Sequence, residues 1–206
     1  QFMNYEEIAS DTMIEKVAEA LGARNITPIV VATKEEALEE IKKLIPAGAT
    51  VMNGSSTTLR EIGFVDYLKE GKHGWSNVHE EILIEKDPSR QAKLLKQSIL
   101  ADYFLGSVHA VTEAGQLLVA SASGSQIPSY AFSSDNVIWV VGAHKIVPDR
   151  EEAFKRIEDY VFPLENKRMQ SVGYPGSAIN RILIIQGEMM PNRKLTVIFV
   201  KEKLGF

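Results

Sequence analysis

Two short β-branched runs, each followed by a capped amphipathic stretch, dominate the first third of the chain and restrict the folds open to it. Ile26 to Ala32 is nearly continuous in apolar character, as expected of a strand covered on both faces in a parallel sheet. Thr33 then stands as an N-cap with Glu36 at the capping-box position, and Ala37, Leu38, Ile41, Leu44 and Ile45 recur at helical spacing until Pro46-Ala47-Gly48 ends the helix. A second strand begins at Thr50 and passes through Asn53-Gly54-Ser55-Ser56-Thr57-Thr58 into another helix. Strand, helix, strand, helix is the pattern of right-handed βαβ crossovers, so the sheet is expected to be parallel here.

The rest of the chain reads less regularly. Asn4, with Glu7, is placed to cap a first helix carrying Ile8, Ile14, Val17 and Leu21 as far as Gly22. Gly71 to Asn77 reads as a loop, Ile82-Leu83-Ile84 as a short strand, and Asp87-Pro88-Ser89 opens a helix with Ala92, Leu95 and Ile99 on one side. Tyr103 to Val111, Gln116 to Ser121 and Val137 to Gly142 read as strands, followed by a helix from about Asp149 to Tyr160. Beyond Pro163 the reading is irregular until Ile182–Ile185 and Leu195–Val200, which pair as strands at a sheet edge. No repeat, low-complexity tract or linker divides the chain, so residues 1–206 are read as one α/β domain, an open and mostly parallel sheet flanked by helices with some antiparallel edge strands.

Composition excludes several classes of function. With 206 residues and 45% hydrophobic content, one domain of this size buries roughly 70% of the surface its unfolded chain exposes. The absence of cysteine removes disulfides, thiolate metal sites, cysteine nucleophiles and any iron–sulfur cluster ligated by this chain. A net charge of −4 with no concentrated run of Lys and Arg argues against nucleic acid as a partner. No apolar run approaches a membrane span and the first residues lack a signal-peptide pattern, so a cytoplasmic location is expected, with no membrane partner. Gln1-Phe2 ahead of Met3 reads as a cloning remnant.

The strongest functional signal is Asn53 to Thr58. A glycine permits close backbone approach, four hydroxyls donate hydrogen bonds, and a helix N-terminus adds free N–H groups and partial positive charge. The run is therefore a candidate anion cradle, against the plainer reading of a well-capped helix start. Without a Gly-Lys-Ser/Thr ending it is no P-loop. Glu113, in a short connection between apolar strands, is the candidate catalytic carboxylate, either a base beside a carbonyl or a nucleophile, against a solvated hairpin turn. Asp102 is a second candidate carboxylate, against a junction residue that serves only in hydrogen bonding.

Ser123 and Gly124, at the end of a strand, and Gly115, beside Glu113, are further candidate ligand-binding positions. Lys145 is the candidate cation at a sheet end, against a lysine that snorkels to the surface. His73, His79, His109 and His144 form no metal-binding spacing, so no metal is expected, and His109 is read as packed and hydrogen-bonded. Gly173 to Arg181 reads as a candidate lid or as another cap before a helix, with Asn180 and Arg181 a weaker oxyanion pair. Trp139 reads as core; Trp75, in a polar loop, is either an exposed platform for a ligand or partner or a side chain packed on its own domain.

The succession Asn53-Gly54-Ser55-Ser56-Thr57-Thr58, Thr112-Glu113-Ala114-Gly115-Gln116-Leu117, Gly142-Ala143-His144-Lys145-Ile146-Val147 and Phe162-Pro163-Leu164-Glu165, with the ending Val200 to Phe206, resembles the lactate-utilisation (LUD) domain family over most of the chain. That family includes the small cysteine-poor subunit of bacterial lactate oxidation systems, often called LutC or YkgG. The resemblance implies a fold similar to ribose-5-phosphate isomerase (RpiA), glucosamine-6-phosphate deaminase (NagB) and the coenzyme A transferases, whose loop after an early strand binds phosphate or coenzyme A. Asn53 to Thr58 occupies the corresponding place, and Glu113-Ala114-Gly115 is similar to the transferases' Glu-Asn-Gly, with Ala114 where they have Asn.

Two functions follow as expectations. One is binding, with or without turnover, of a small anionic metabolite: an organic acid, a sugar phosphate or an acyl-CoA, with no resident cofactor. The other is a non-catalytic subunit docking to an iron–sulfur partner. The sequence leaves substrate and oligomeric state open.

Overall fold

The structure is a computed structural model that describes residues 3–206; the reading of Gln1-Phe2 lies outside the described residues. Its first helix, α1 (Asp11–Gly22), begins at Ser10, whose hydroxyl accepts the Met13 N–H, rather than at Asn4. Strand β1 (Ile26–Val31) and helix α2 (Lys34–Leu44) follow as the pattern requires, and the Thr33/Glu36 capping box is formed in both directions. Strand β2 (Thr50–Asn53) leads into two short helices, α3 (Thr57–Glu61) and α4 (Phe64–Lys69), separated by Gly63 at φ 83°. A two-residue strand β3 (Ser76–Asn77) precedes α5 (Val78–Ile84), so Ile82-Leu83-Ile84 is helical and not a strand. Asn77 caps that helix through the Glu80 N–H, a signal masked in the sequence by the apolar run. Helix α6 (Pro88–Gln97) is capped by Asp87 as expected.

The expected strand from Tyr103 to Val111 is two strands. β4 (Tyr103–Gly106) belongs to one sheet and β5 (Ala110–Thr112) to another, and Ser107 to His109 crosses between them. β6 (Leu117–Ser121) turns back on β5, and a single π-turn at Ser129–Ser133 precedes β7 (Asn136–Gly142) and β8 (Ile146–Val147). The helix after Asp149 runs further than the sequence suggests. α7 (Arg150–Lys155) passes through a π-turn at Arg156–Val161 into α8 (Phe162–Ser171). Pro163 falls in the first turn of α8, where a missing N–H costs little, so it does not end the helix.

The larger sheet has the order β1, β10, β7, β4, β2, β3, all parallel, where β10 (Lys194–Val200) closes the chain's strand sequence. β10 therefore lies inside this sheet and not beside Ile182–Ile185, while β1 is an edge strand and leaves Val30 exposed. The smaller sheet, ordered β8, β5, β6, β9, takes the antiparallel pairings, with β9 spanning Arg181–Ile185.

Side chains alternate across the large sheet and divide the core in two. Ile138, Val140, Ile198, Val200 and Leu105 face α2, α3 and α4 through Ala37, Ile41, Leu59 and Phe64. Val137, Trp139, Val141, Val197, Phe199 and Phe104 face α1 and the second sheet through Ile14, Val17, Val111, Leu117 and Val119. The far side of the second sheet is closed by Ala153 and Ile157 of the long helix. Trp75 is buried, stacked on His73 with its indole N–H on the Ile45 carbonyl, so it is a packing residue and no platform. Among the described residues no helix is long and apolar enough to cross a membrane.

Candidate functional site

A cavity of about 530 Å³ opens at the C-terminal end of β2 and β4, where the chain crosses from one sheet to the other. Ligands of α/β sheets bind outside such strand ends. All six residues from Asn53 to Thr58 line it. The Gly54 N–H is fixed on the Leu105 carbonyl at 3.1 Å and the Ser56 hydroxyl caps α3 through the Leu59 N–H. Among the described residues no protein acceptor takes the amide N–H of Ser55, Ser56, Thr57 or Thr58. The Asn53 Oδ1 is buried without a donor. The cradle thus presents unfilled donors to a real cavity.

Lys145 forms the floor. It is 2% exposed, and its Nζ donates to Thr58 Oγ1 at 3.2 Å, Ser107 Oγ at 3.1 Å and the Val108 carbonyl at 3.1 Å. Ser107 spends its proton on the Val140 carbonyl at 2.6 Å, and Thr58 directs its own to the Leu204 carbonyl at 3.3 Å, so both hydroxyls accept from the lysine. No carboxylate among the described residues lies within 4.0 Å of Nζ. The lysine is buried and fully hydrogen-bonded, not snorkelling. Burial, then the charge of Arg156, holds its proton affinity well below the ordinary lysine range, offset only by Glu61.

His109 stands on the crossing segment and lines the cavity. Its Nδ1 accepts the Ala120 N–H at 2.9 Å, which places the ring proton on Nε2, a donor with no protein partner. Burial, with Lys145 and Arg156 nearby, pushes its pKa down to about 3, so the ring is neutral. Arg156, in the π-turn and fully buried, donates to the His109 carbonyl and stacks near Tyr160 and Tyr5, at 5.1 and 5.8 Å, with two of its nitrogens unpartnered. Burial lowers its pKa to about 10, and among the described residues no carboxylate pairs with it. Among the described residues, neither Lys145 nor Arg156 has a carboxylate within 4.0 Å.

The opposite wall is α8, which contributes the bidentate pair of Glu165 and Arg168 at 2.6 and 2.7 Å, together with Phe162 and Met169, and Val172 follows at its C-cap. Gly205 closes one side at φ 66°. A Cβ there would strike Thr58 Oγ1 and come within 3.3 Å of Lys145 Nζ, so the position needs glycine.

The sequence reading joined Glu113 to the cradle; the structure separates them. Glu113 lies in the tight turn between β5 and β6, pairs with Lys16 at 2.6 Å, and lines no part of the cavity. Gly115 in the same turn sits against the Ala20 carbonyl at the end of α1, where a side chain has no room, and is likewise outside the cavity. The turn is a packing joint, held by Arg24 on the Ala114 carbonyl. Ser123 lines the cavity, but Gly124 does not; it packs under Arg181. Arg181 and Asn180 both donate to the Ala122 carbonyl, which uses the donors proposed for a lid. Asp102 exchanges hydrogen bonds with Thr50 and joins β2 to β4.

Ser107, His109, Glu165 and Arg168 were not read as site residues. A glycine followed by serine inside an apolar run was the available signal for the first two; the helical face of the second pair was hidden by Pro163.

The model of the LUD domain matches residues 14–200. The chain belongs to the LUD domain family. Its fold is similar to the crystal structure of a DUF162 family protein from Deinococcus radiodurans, at 14% identity and a TM-score of 0.57, covering 94% of this chain and 99% of that one. At that identity the likeness bears on the fold, and no curated protein matches the chain. In this LUD domain the cavity lies between the two sheets and the long helix.

Proposed function

We propose that this LUD domain binds a small organic anion in the cavity, with its carboxylate or phosphate on the Ser55–Thr58 amides beside Lys145. The observation that carries this reading is a buried lysine that, among the described residues, has no counter-ion and is hydrogen-bonded to Thr58, the last of four successive residues whose amides have no protein acceptor. An incoming anion supplies the missing charge and fills the vacant acceptor position. The neutral His109 adds one more donor through Nε2.

Size selects among the anions. A cavity of about 530 Å³ is far larger than a six-heavy-atom acid such as lactate needs and falls in the range of ligands with a further arm. The apolar residues of α8 suit such an arm, as in an acyl chain or a substituted organic acid. In organic-acid oxidation the chain would bind the acid while an iron–sulfur partner handles electrons, because it has no cysteine of its own for a cluster.

Calorimetric titration with inorganic phosphate, lactate, a sugar phosphate and an acyl-CoA tests the reading. At least one anion is expected to bind, with affinity reduced tenfold or more in Lys145→Met. Silence across the panel overturns it.

A further inference from the structure

We infer that Lys145 acts as a nucleophile, forming an imine with the carbonyl carbon of an α-oxo acid whose carboxylate rests on the Ser55–Thr58 amides. This rests on the anion-binding reading above and adds the class of substrate and the bond that forms.

Three observations converge on it. The first is adjacency: Nζ lies 3.2 Å from the hydroxyl of Thr58, the residue that ends the cradle. An anion held there brings the carbon next to it within reach of the amine. In an α-oxo acid that neighbouring carbon is the electrophile, whereas in a phosphate ester any carbonyl is several bonds away. The second is the amine's surroundings, which are two hydroxyls and a carbonyl, with no carboxylate to hold the ammonium form. Buried beside a second cation, a lysine gives up its proton readily, and the shift found for Lys145 is in that direction.

The third is His109. A neutral ring fixed with its proton on Nε2 and lining the same cavity can donate to the carbonyl oxygen and polarise it without being consumed.

The step balances without a further reagent. The Nζ lone pair forms the C–N bond as the carbonyl π pair moves to oxygen. The two amine protons leave with that oxygen as water, giving a C=N bond. The imine nitrogen takes a proton from solvent, and its positive charge then faces the ligand's own carboxylate, so the bound acid brings the counter-ion that the protein lacks. The apolar side chains of α8, Phe162 and Met169, line the cavity where the acid's side arm would extend, which favours phenylpyruvate over pyruvate.

Borohydride trapping decides the matter. The protein is incubated with pyruvate or phenylpyruvate, reduced, and measured by intact mass and peptide mapping, while phosphate binding is followed by calorimetry on the same preparation. The expected result is one adduct per chain, heavier by the acid less one oxygen atom, on the peptide holding Lys145. It is lost in Lys145→Arg and Lys145→Met, and with the amine intact it is suppressed by phosphate. Phosphate binding with no adduct, or an adduct that persists in Lys145→Met, overturns the imine and leaves the anion site standing. Neither binding nor adduct overturns both.

Discussion

His109 and His144 are both held neutral, and this sets how the protein responds to mild acid. Burial lowers the first to about 3 and the second to about 2, against an unfolded value near 6.5. The folded state cannot take up protons that the unfolded chain binds from pH 6.5 downward, so stability is complete above that value and is lost as pH falls. Between pH 7 and 5 each histidine costs about 2 kcal/mol, or roughly 4 kcal/mol for the pair, a large part of the 5–15 kcal/mol typical of a domain. For a chain of this size that corresponds to about 10 °C in Tm. Urea unfolding at pH 7, 6 and 5, with thermal melts alongside, measures it, and His144→Leu is expected to remove about half of the slope. A stability change below about 1 kcal/mol between pH 7 and 5, or an unaltered slope in His144→Leu, refutes the burial argument for these rings.

Other perturbations separate structural from functional residues. Lys145→Met removes a buried amine that has three hydrogen bonds but no carboxylate partner, so its desolvation cost and lost bonds offset and Tm is expected to change little while anion binding is abolished, as seen by combining melts with calorimetry. Glu113→Gln breaks only a half-exposed pair with Lys16, so it is expected to cost at most about 1 kcal/mol and to leave anion affinity unchanged; a tenfold loss of affinity would restore Glu113 to the site. Arg193→Met strips donors from the carbonyls of Ser129, Tyr130, Ala131 and Ser134 and leaves Glu188 unpaired in a buried position, for an expected loss of about 3–5 kcal/mol in urea unfolding. Gly205→Ala forces the last turn away from Thr58 and is expected to weaken anion binding more than it lowers Tm, as read by calorimetry and melts on one sample.

The parts of the fold that were legible in the sequence are those where local chemistry and tertiary placement agree. The capping box of Thr33 and Glu36, the strand at β7 and the hydroxyl loop after β2 each carry a signal that the packing reinforces. The misses have physical reasons. Tyr103 to Val111 is mostly apolar because both of its halves are largely buried, each in a different sheet, and that shared burial hides a change of partner. β10 reads like any buried strand, and nothing local says that it enters between β1 and β7. Of the cavity lining, Asn53 to Thr58 and Lys145 stood out by residue type and position, although the meeting of Lys145 with Thr58 depends on residues 87 apart in the chain. Glu113 was read by type alone. Its neighbours, Lys16 and the end of α1, are what make it part of a joint.

The π-turn at Arg156–Val161 adds a residue to the winding of one long rod, and the added residue sets where everything downstream points. Each position in an α-helix is rotated about 100° from the one before it, so deleting a single residue from that turn would carry Glu165 and Arg168 a quarter-revolution or more off the wall they now form. Ile157 and its neighbours upstream would keep their grip on the second sheet. A change of length at this one place would therefore re-face half of the binding chamber and leave the hydrophobic interior as it was, a route to new ligand preferences that no single side-chain exchange offers.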